Sequence, residues 1–206
     1  MVRAMKELPG KVSKEVCFYC SATFDTFEEL KAHVMAEHKM EPVPEPEELI
    51  RLTINGQAYQ VEVEPNWTLN YLLHDKLGFI STKMFCDRGA CGSCTVIMDG
   101  RPILSCMTLA IECDGANIET AEGIALSKHP LIEAYIKHHC MQCGYCTPGF
   151  VVTAKALLDR NPNPTEDEIK EALGGNICRC STYPQHPKAI LEAAETLRRT
   201  KKNVKR

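Results

Sequence analysis

The sequence predicts an α+β protein in three folded parts: a very short ββα unit, a small strand-rich domain and a helical domain. Three observations predict this. Alternating apolar residues from Leu49 onward give way to stripes at helical spacing after about residue 121. The stretch MEPVPEPEE, with three prolines and four glutamates, separates residues 11–39 from both. Twelve cysteines gather between these elements.

The chain has 206 residues, 44% hydrophobic and 25% charged, an ordinary balance for a folded soluble protein. It has no apolar run of about 18 residues, so no membrane span is expected. The first residues, MVRAMKELPGKVSKEV, have neither an apolar core nor paired arginines, so a cytoplasmic location is expected. The net charge is −3, yet the last ten residues, LRRTKKNVKR, carry six basic side chains and no acidic one. The remainder is therefore acidic, which argues against a broad nucleic-acid surface; residues 200–206 read as a solvated basic tail. In a reducing compartment, twelve cysteines point to metal ligation rather than disulfides.

In residues 11–39, Cys17, Cys20, His33 and His38 satisfy C-x2-C-x12-H-x4-H, a zinc-finger spacing. Phe24 and Leu30 stand where a ββα finger needs its small core, and metal would supply the stability that so short a unit lacks. Counted from His33, the positions that read bases in DNA-binding fingers are Thr26, Glu29 and Ala32. With Asp25, Glu28 and Glu29 this face is acidic, so docking or stabilisation is expected rather than DNA binding. Residues 40–48 form the extended linker.

In residues 49–120, Ile50, Leu52 and Ile54 alternate before Asn55-Gly56, and Tyr59, Val61 and Val63 alternate after it, predicting a tight hairpin. Leu69, Leu72, Leu73 and Leu77 form a helical stripe. A second hairpin is expected around Asp99-Gly100. Residues 121–199 read as helices. Thr165 and Glu168 form a capping box, Gly174-Gly175 ends that helix, and Pro187 is placed to start the last one.

Two cysteine sets remain. CDRGACGSC supplies Cys86, Cys91 and Cys94, and Cys106 follows with eleven residues between; this is the plant-type [2Fe–2S] spacing. Gly89 and Gly92 would let the loop turn and aim N–H groups at the sulfurs. Four thiolates would also serve zinc, but not in the paired C-x2-C knuckles usual for it. The second set, Cys143, Cys146, Cys178 and Cys180, combines C-x2-C with C-x-C; on chemistry alone it could hold zinc or iron.

The order CDRGACGSCTV, LSCMTLA, MQCGYCTPGF, GGNICRC resembles the iron–sulfur subunit of the molybdenum hydroxylases, the relatives of xanthine dehydrogenase, aldehyde oxidoreductase and carbon monoxide dehydrogenase. The resemblance spans about residues 49–197 and implies a β-grasp, ferredoxin-like domain followed by a helical bundle, each with one [2Fe–2S] cluster. It implies that electrons leave molybdopterin in a separate large subunit. They would pass the helical-domain cluster, then the ferredoxin-like one, and reach a flavin (FAD) subunit or another acceptor. Gln142 and Cys180 would lie against the pterin. The chain itself would conduct electrons without performing the substrate chemistry.

Two positions depart from the family pattern. Phe85 stands where the family usually has Gly, and C-R-C-S-T-Y replaces C-R-C-T-G-Y, which removes a flexible turn residue beside Cys180. Similar turns appear in the family's isoquinoline- and aldehyde-type branches, some of which pass electrons to acceptors other than a dedicated flavin subunit. Cys113 and Cys140 fit no ligand pattern and are expected as small buried apolar groups; His138 and His139 are expected to hydrogen-bond rather than ligate. Two other readings compete: a free-standing two-cluster carrier, and a redox-sensing nucleic-acid-binding protein.

Overall fold

The computed structural model describes residues 15–17, 19–38 and 48–204. The linker expected at 40–48 lies, except for Glu48, outside the described residues. The chain divides into two compact units, Met1–Glu45 and Pro46–Arg206.

The first unit pairs β1 (Glu15–Val16) antiparallel with β2 (Thr23–Phe24), followed by α1 (Phe27–Glu37). Thr26 caps the helix, its hydroxyl accepting from Glu29 N–H at 3.3 Å, while the Glu29 carboxylate accepts from Asp25 N–H at 3.2 Å. Such reciprocal bonding satisfies two donors that a helix start leaves free.

In the second unit, β3 (Glu48–Ile54) and β4 (Gln57–Val63) form the expected hairpin. Asn55 and Gly56 both have positive φ, +52° and +83°, as the favoured two-residue hairpin turn requires. β5 (Thr95–Met98) and β6 (Arg101–Leu104) turn the same way at Asp99-Gly100, and β7 (Asn117–Glu119) joins the sheet in the order β4-β3-β7-β5-β6. β3 and β7 run parallel; the other neighbours are antiparallel. The alternation read from the sequence buries Ile50, Leu52 and Ile54 against Leu69, Leu72, Leu73, Val96 and Ile118. At about 1.5–3 kcal/mol per buried aliphatic side chain, this face is what holds the sheet to its helix. That helix is shorter than the leucine stripe implies. It starts at the Thr68 cap as α2 (Leu69–Tyr71) and continues as one wide turn over Leu72–Lys76, so Leu77 N–H bonds to Leu72 O.

The helical half comprises α3 (Ala121–Leu126), α4 (Pro130–Lys137), α5 (Thr147–Arg160), α6 (Glu166–Leu173) and α7 (Gln185–Val204). Phe150, Val151, Ala154, Leu157 and Leu158 of α5 lie buried at its centre, with Ile97 of β5 in the same core. The two halves therefore share packing along α5. The Thr165–Glu168 capping box forms as expected. Gly174 does end α6, but in right-handed conformation, φ −57°, without a left-handed cap. The last helix begins at Gln185, two residues before Pro187, and extends through residues 200–204 of the expected tail. Among the described residues no helix is long and apolar enough to cross a membrane.

Candidate metal centres

The N-terminal unit gathers Cys17, Cys20, His33 and His38 so that one ligand atom from each lies within 4.8 Å of the others. Cys17 Sγ is 3.4 Å from His38 Nε2, and Cys20 Sγ is 3.1 Å from His33 Nε2. The hairpin supplies both thiols; α1 and its C-cap supply both imidazoles. Phe24 packs on the His33 ring at 4.7 Å between centroids. Two sulfurs and two imidazole nitrogens in one cluster fit tetrahedral zinc.

Residues 86–94 form a tight loop with positive φ at Asp87, Gly89 and Gly92. These turns point backbone N–H groups inward. Ala90 N–H donates to Cys86 Sγ at 3.3 Å. Backbone bonds, led by that of Arg88, together with the Cys91 thiol, bring the Cys86 thiol down to about 7 against the effect of burial. Cys106 sits in a short turn after β6 and bonds to Cys94; burial first, then Cys94, pushes it up to about 11, opposed by a hydrogen bond from the Gly89 backbone. Cys86 thus interacts with Cys91, and Cys106 with both Cys94 and Cys86, so the loop and the turn after β6 bring their thiols together. Neighbouring thiols that accept backbone N–H donors, as Cys86 and Cys106 do, suit a two-iron, sulfide-bridged anion, whose negative charge such donors stabilise.

A polar network absent from the sequence reading holds this loop. The buried Asn70 donates to Ser105 Oγ at 3.3 Å and Thr82 O at 3.4 Å, and Ser105 Oγ–H donates to Cys94 O at 2.7 Å. A lone Asn within a leucine stripe was the available signal.

The second set comes from two helix junctions. Cys146 caps α5, and Cys178 and Cys180 lie between α6 and α7. Burial, then a hydrogen bond with Cys178, pushes Cys146 up to about 12. Cys178 is drawn down to about 7: burial opposes ionisation, but hydrogen bonds from Thr182, Cys146 and the Cys180 backbone outweigh it. Cys143 is exposed and lies near enough to Cys146 to disfavour its ionisation. This set also has donors on its sulfurs and fits the same kind of anion.

Gln142, expected beside Cys180, donates from Nε2 to Cys180 O at 3.1 Å. Phe85 is 71% exposed and its ring meets Tyr145 at 5.8 Å, while Tyr145 Oη–H donates to Met84 O at 2.8 Å. The departure from Gly thus puts an exposed aromatic pair between the two cysteine loops. In C-R-C-S-T-Y, the left-handed conformation falls on Ser181, φ +62°, while Thr182 is buried. Cys113 and Cys140 are fully buried, with thiols pushed up to about 11 by burial. His138 pairs with Glu192 at 2.7 Å.

The two sets lie against each other. Ile177 N–H donates to Cys91 O at 2.9 Å, and Asn176 Nδ2 donates to Gly92 O at 2.9 Å. An added Cβ on Gly149 would stand 2.4 Å from Gly92 O, so α5 needs glycine to come this close.

Residues 53–138 match the 2Fe-2S iron-sulfur cluster binding domain family, and residues 120–191 match the [2Fe-2S] binding domain family. The nicotinate dehydrogenase small FeS subunit of Eubacterium barkeri is 45% identical over 148 residues, 71% of this chain and 94% of that protein. The solved quinoline 2-oxidoreductase of Pseudomonas putida 86 aligns with a TM-score of 0.71 at 41% identity, over 74% of this chain and 96% of the matched one. Aldehyde oxidoreductase of Desulfovibrio desulfuricans ATCC 27774 aligns at 0.71 and 40% identity, over 73% of this chain but 17% of that much longer one. The matched domain regions begin at residue 53, leaving residues 17–38 outside them.

Proposed function

This chain belongs to the iron–sulfur subunits of the molybdenum hydroxylases, and we propose that it relays electrons from a large molybdopterin subunit to a flavin subunit or another acceptor. Cys86, Cys91, Cys94 and Cys106 would hold one [2Fe–2S] cluster, and Cys143, Cys146, Cys178 and Cys180 the other. Each cluster, when bound, supplies a one-electron store. The chain's own residues do the rest. Arg88, Gly89 and Ala90 present N–H groups to the first sulfurs, Thr182 and Cys180 present donors to Cys178, and the shared core along α5 keeps the two loops fixed.

The observation that carries the reading is the Ile177 N–H to Cys91 O hydrogen bond. Cys91 belongs to the first set, and Ile177 is bonded directly to Cys178 of the second. One hydrogen bond and one peptide link therefore connect ligands of the two sets. Met84, Phe85 and Tyr145 leave an exposed apolar patch beside these loops, which suits docking to a larger partner. Gln142 and Cys180 are the residues we assign to the pterin-facing side. Affinity purification of the full chain from its native host tests this. Co-purification of a molybdenum-containing subunit supports it; a monomer without molybdenum partners contradicts it.

We assign zinc to Cys17, Cys20, His33 and His38. The proximity of two thiols and two imidazoles supports zinc, and the acidic first turn of α1, Glu28 and Glu29, argues for a protein rather than a nucleic-acid partner. Metal analysis of the full chain and of Cys20→Ser should differ by one zinc, with iron unchanged.

A further inference from the structure

Thr182, in the position where the family pattern has glycine, is 2% exposed. Its hydroxyl lies 3.2 Å from Cys178 Sγ and 3.2 Å from His186 Nε2. A single hydroxyl hydrogen cannot serve both neighbours, so the direction of the string follows from the imidazole. His186 is fully buried, stacked on Phe150 at 4.2 Å and 8°. Burial pushes it down to about 4, so the ring is neutral and carries one N–H. Its Nδ1 is buried without a hydrogen-bond partner.

A hydrogen on Nδ1 would be an orphaned buried donor, and Thr182 would then point its hydrogen at Nε2 instead of the sulfur. With the hydrogen on Nε2, every donor has an acceptor: Nε2–H to Thr182 Oγ1, and Oγ1–H to Cys178 Sγ. Only a lone pair on Nδ1 is unmatched, and buried acceptors tolerate that better than buried donors. The geometry therefore selects the second arrangement.

We propose that His186 and Thr182 form a positioning pair that holds a hydrogen-bond donor on the Cys178 thiolate and raises the reduction potential of the helical-domain cluster. The inference rests on Cys178 being a cluster ligand. A donor on a ligating sulfur offsets negative charge and so favours the reduced state. On Cys86 and Cys106 of the first set, the donors other than cysteine thiols are backbone N–H groups, which side-chain substitution does not remove. In the second, Thr182 adds a side-chain hydroxyl, so this potential can be set by sequence.

The test is an EPR-monitored redox titration of the purified holo-complex, comparing wild type with Thr182→Val, Thr182→Ser and His186→Leu. Thr182→Val should lower the potential of one cluster signal by the equivalent of about tenfold in its one-electron equilibrium, ~59 mV, and leave the other signal in place. Thr182→Ser should restore it, and His186→Leu should shift it the same way by less, because the hydroxyl remains but loses its orientation. Two intact signals with unshifted potentials in Thr182→Val would overturn the proposal, as would equal shifts of both signals. Should Thr182→Val fail to hold its second cluster, His186→Leu carries the test, and an unshifted potential there overturns it. A wild-type protein with a single cluster signal would instead refute the ligand assignment, and this proposal with it.

Discussion

Gly149→Ala tests the junction between the two cysteine loops. In an ordinary helix this change stabilises by up to about 1 kcal/mol. Here the new Cβ would stand 2.4 Å from Gly92 O, 3.1 Å from Ser93 Cα and 3.2 Å from Asn176 Nδ2. Relief requires Gly92 to move by about 1 Å, given ordinary contact near 3.5 Å. Gly92 O accepts from Asn176 Nδ2 at 2.9 Å and from Thr95 Oγ1 at 2.6 Å, so that movement strains or breaks both bonds. Overpacking costs about 1–3 kcal/mol and a stranded buried amide about 1–3 more. After the helix gain, the net loss is about 1–5 kcal/mol. With a guanidinium dependence of about 4 kcal/mol per molar, the unfolding midpoint should fall by roughly 0.3–1.3 M. The assay is guanidinium titration of holoprotein, followed by loss of visible cluster absorption. Gly92→Ala should cost more, because it adds a side chain at φ +72° and places it 2.5 Å from Gly175 O. An unchanged or higher midpoint for Gly149→Ala would refute the close approach and the fixed Cys91–Ile177 connection that depends on it.

Cys143→Ser or Cys178→Ser should remove one of two reduced-cluster EPR signals and leave the other; survival of both would mean a wrong ligand set. Deleting residues 1–39 should remove the zinc while both cluster signals persist, and lost clusters would make the finger part of the fold's support. Glu122 accepts from Ser81 N–H at 2.8 Å and from the Ser81 and Thr120 hydroxyls. Burial raises this carboxyl, but those bonds outweigh it and hold it below the usual range. Its contribution is therefore present above about pH 4.5 and lost as pH falls through its lower folded value. Glu122→Gln should be less stable than wild type at pH 7, and the gap in denaturation midpoint should narrow on acidification.

Local patterns made much of this protein legible before its structure. Asn55-Gly56 and Asp99-Gly100 specify their hairpins because those residues accept positive φ, and the alternation of Ile50, Leu52 and Ile54 names the buried face of β3. Cysteine spacing named the three candidate ligand sets because a small metal centre constrains loop length. What escaped depends on contacts between distant segments. Nothing near Asn176 says that its amide will reach Gly92, 84 positions away. The Asn70–Ser105–Cys94 network likewise joins residues far apart in sequence. The leucine stripe from Leu69 to Leu77 marked the right buried face but not the wide turn over Leu72–Lys76, since side-chain periodicity does not fix the hydrogen-bond pattern. At C-R-C-S-T-Y, the lost glycine pointed to Thr182, whereas the left-handed residue is its neighbour Ser181.

The proposed electron relay requires two [2Fe–2S] clusters in one chain, in electronic contact. The most direct measurement is iron analysis of the purified holoprotein combined with EPR of the fully reduced state. About four iron per chain and two distinct signals are expected, broadened by mutual spin coupling because Cys91 and Ile177 hold the sites together. Two iron or fewer, or zinc in place of iron at Cys143, Cys146, Cys178 and Cys180, would contradict it.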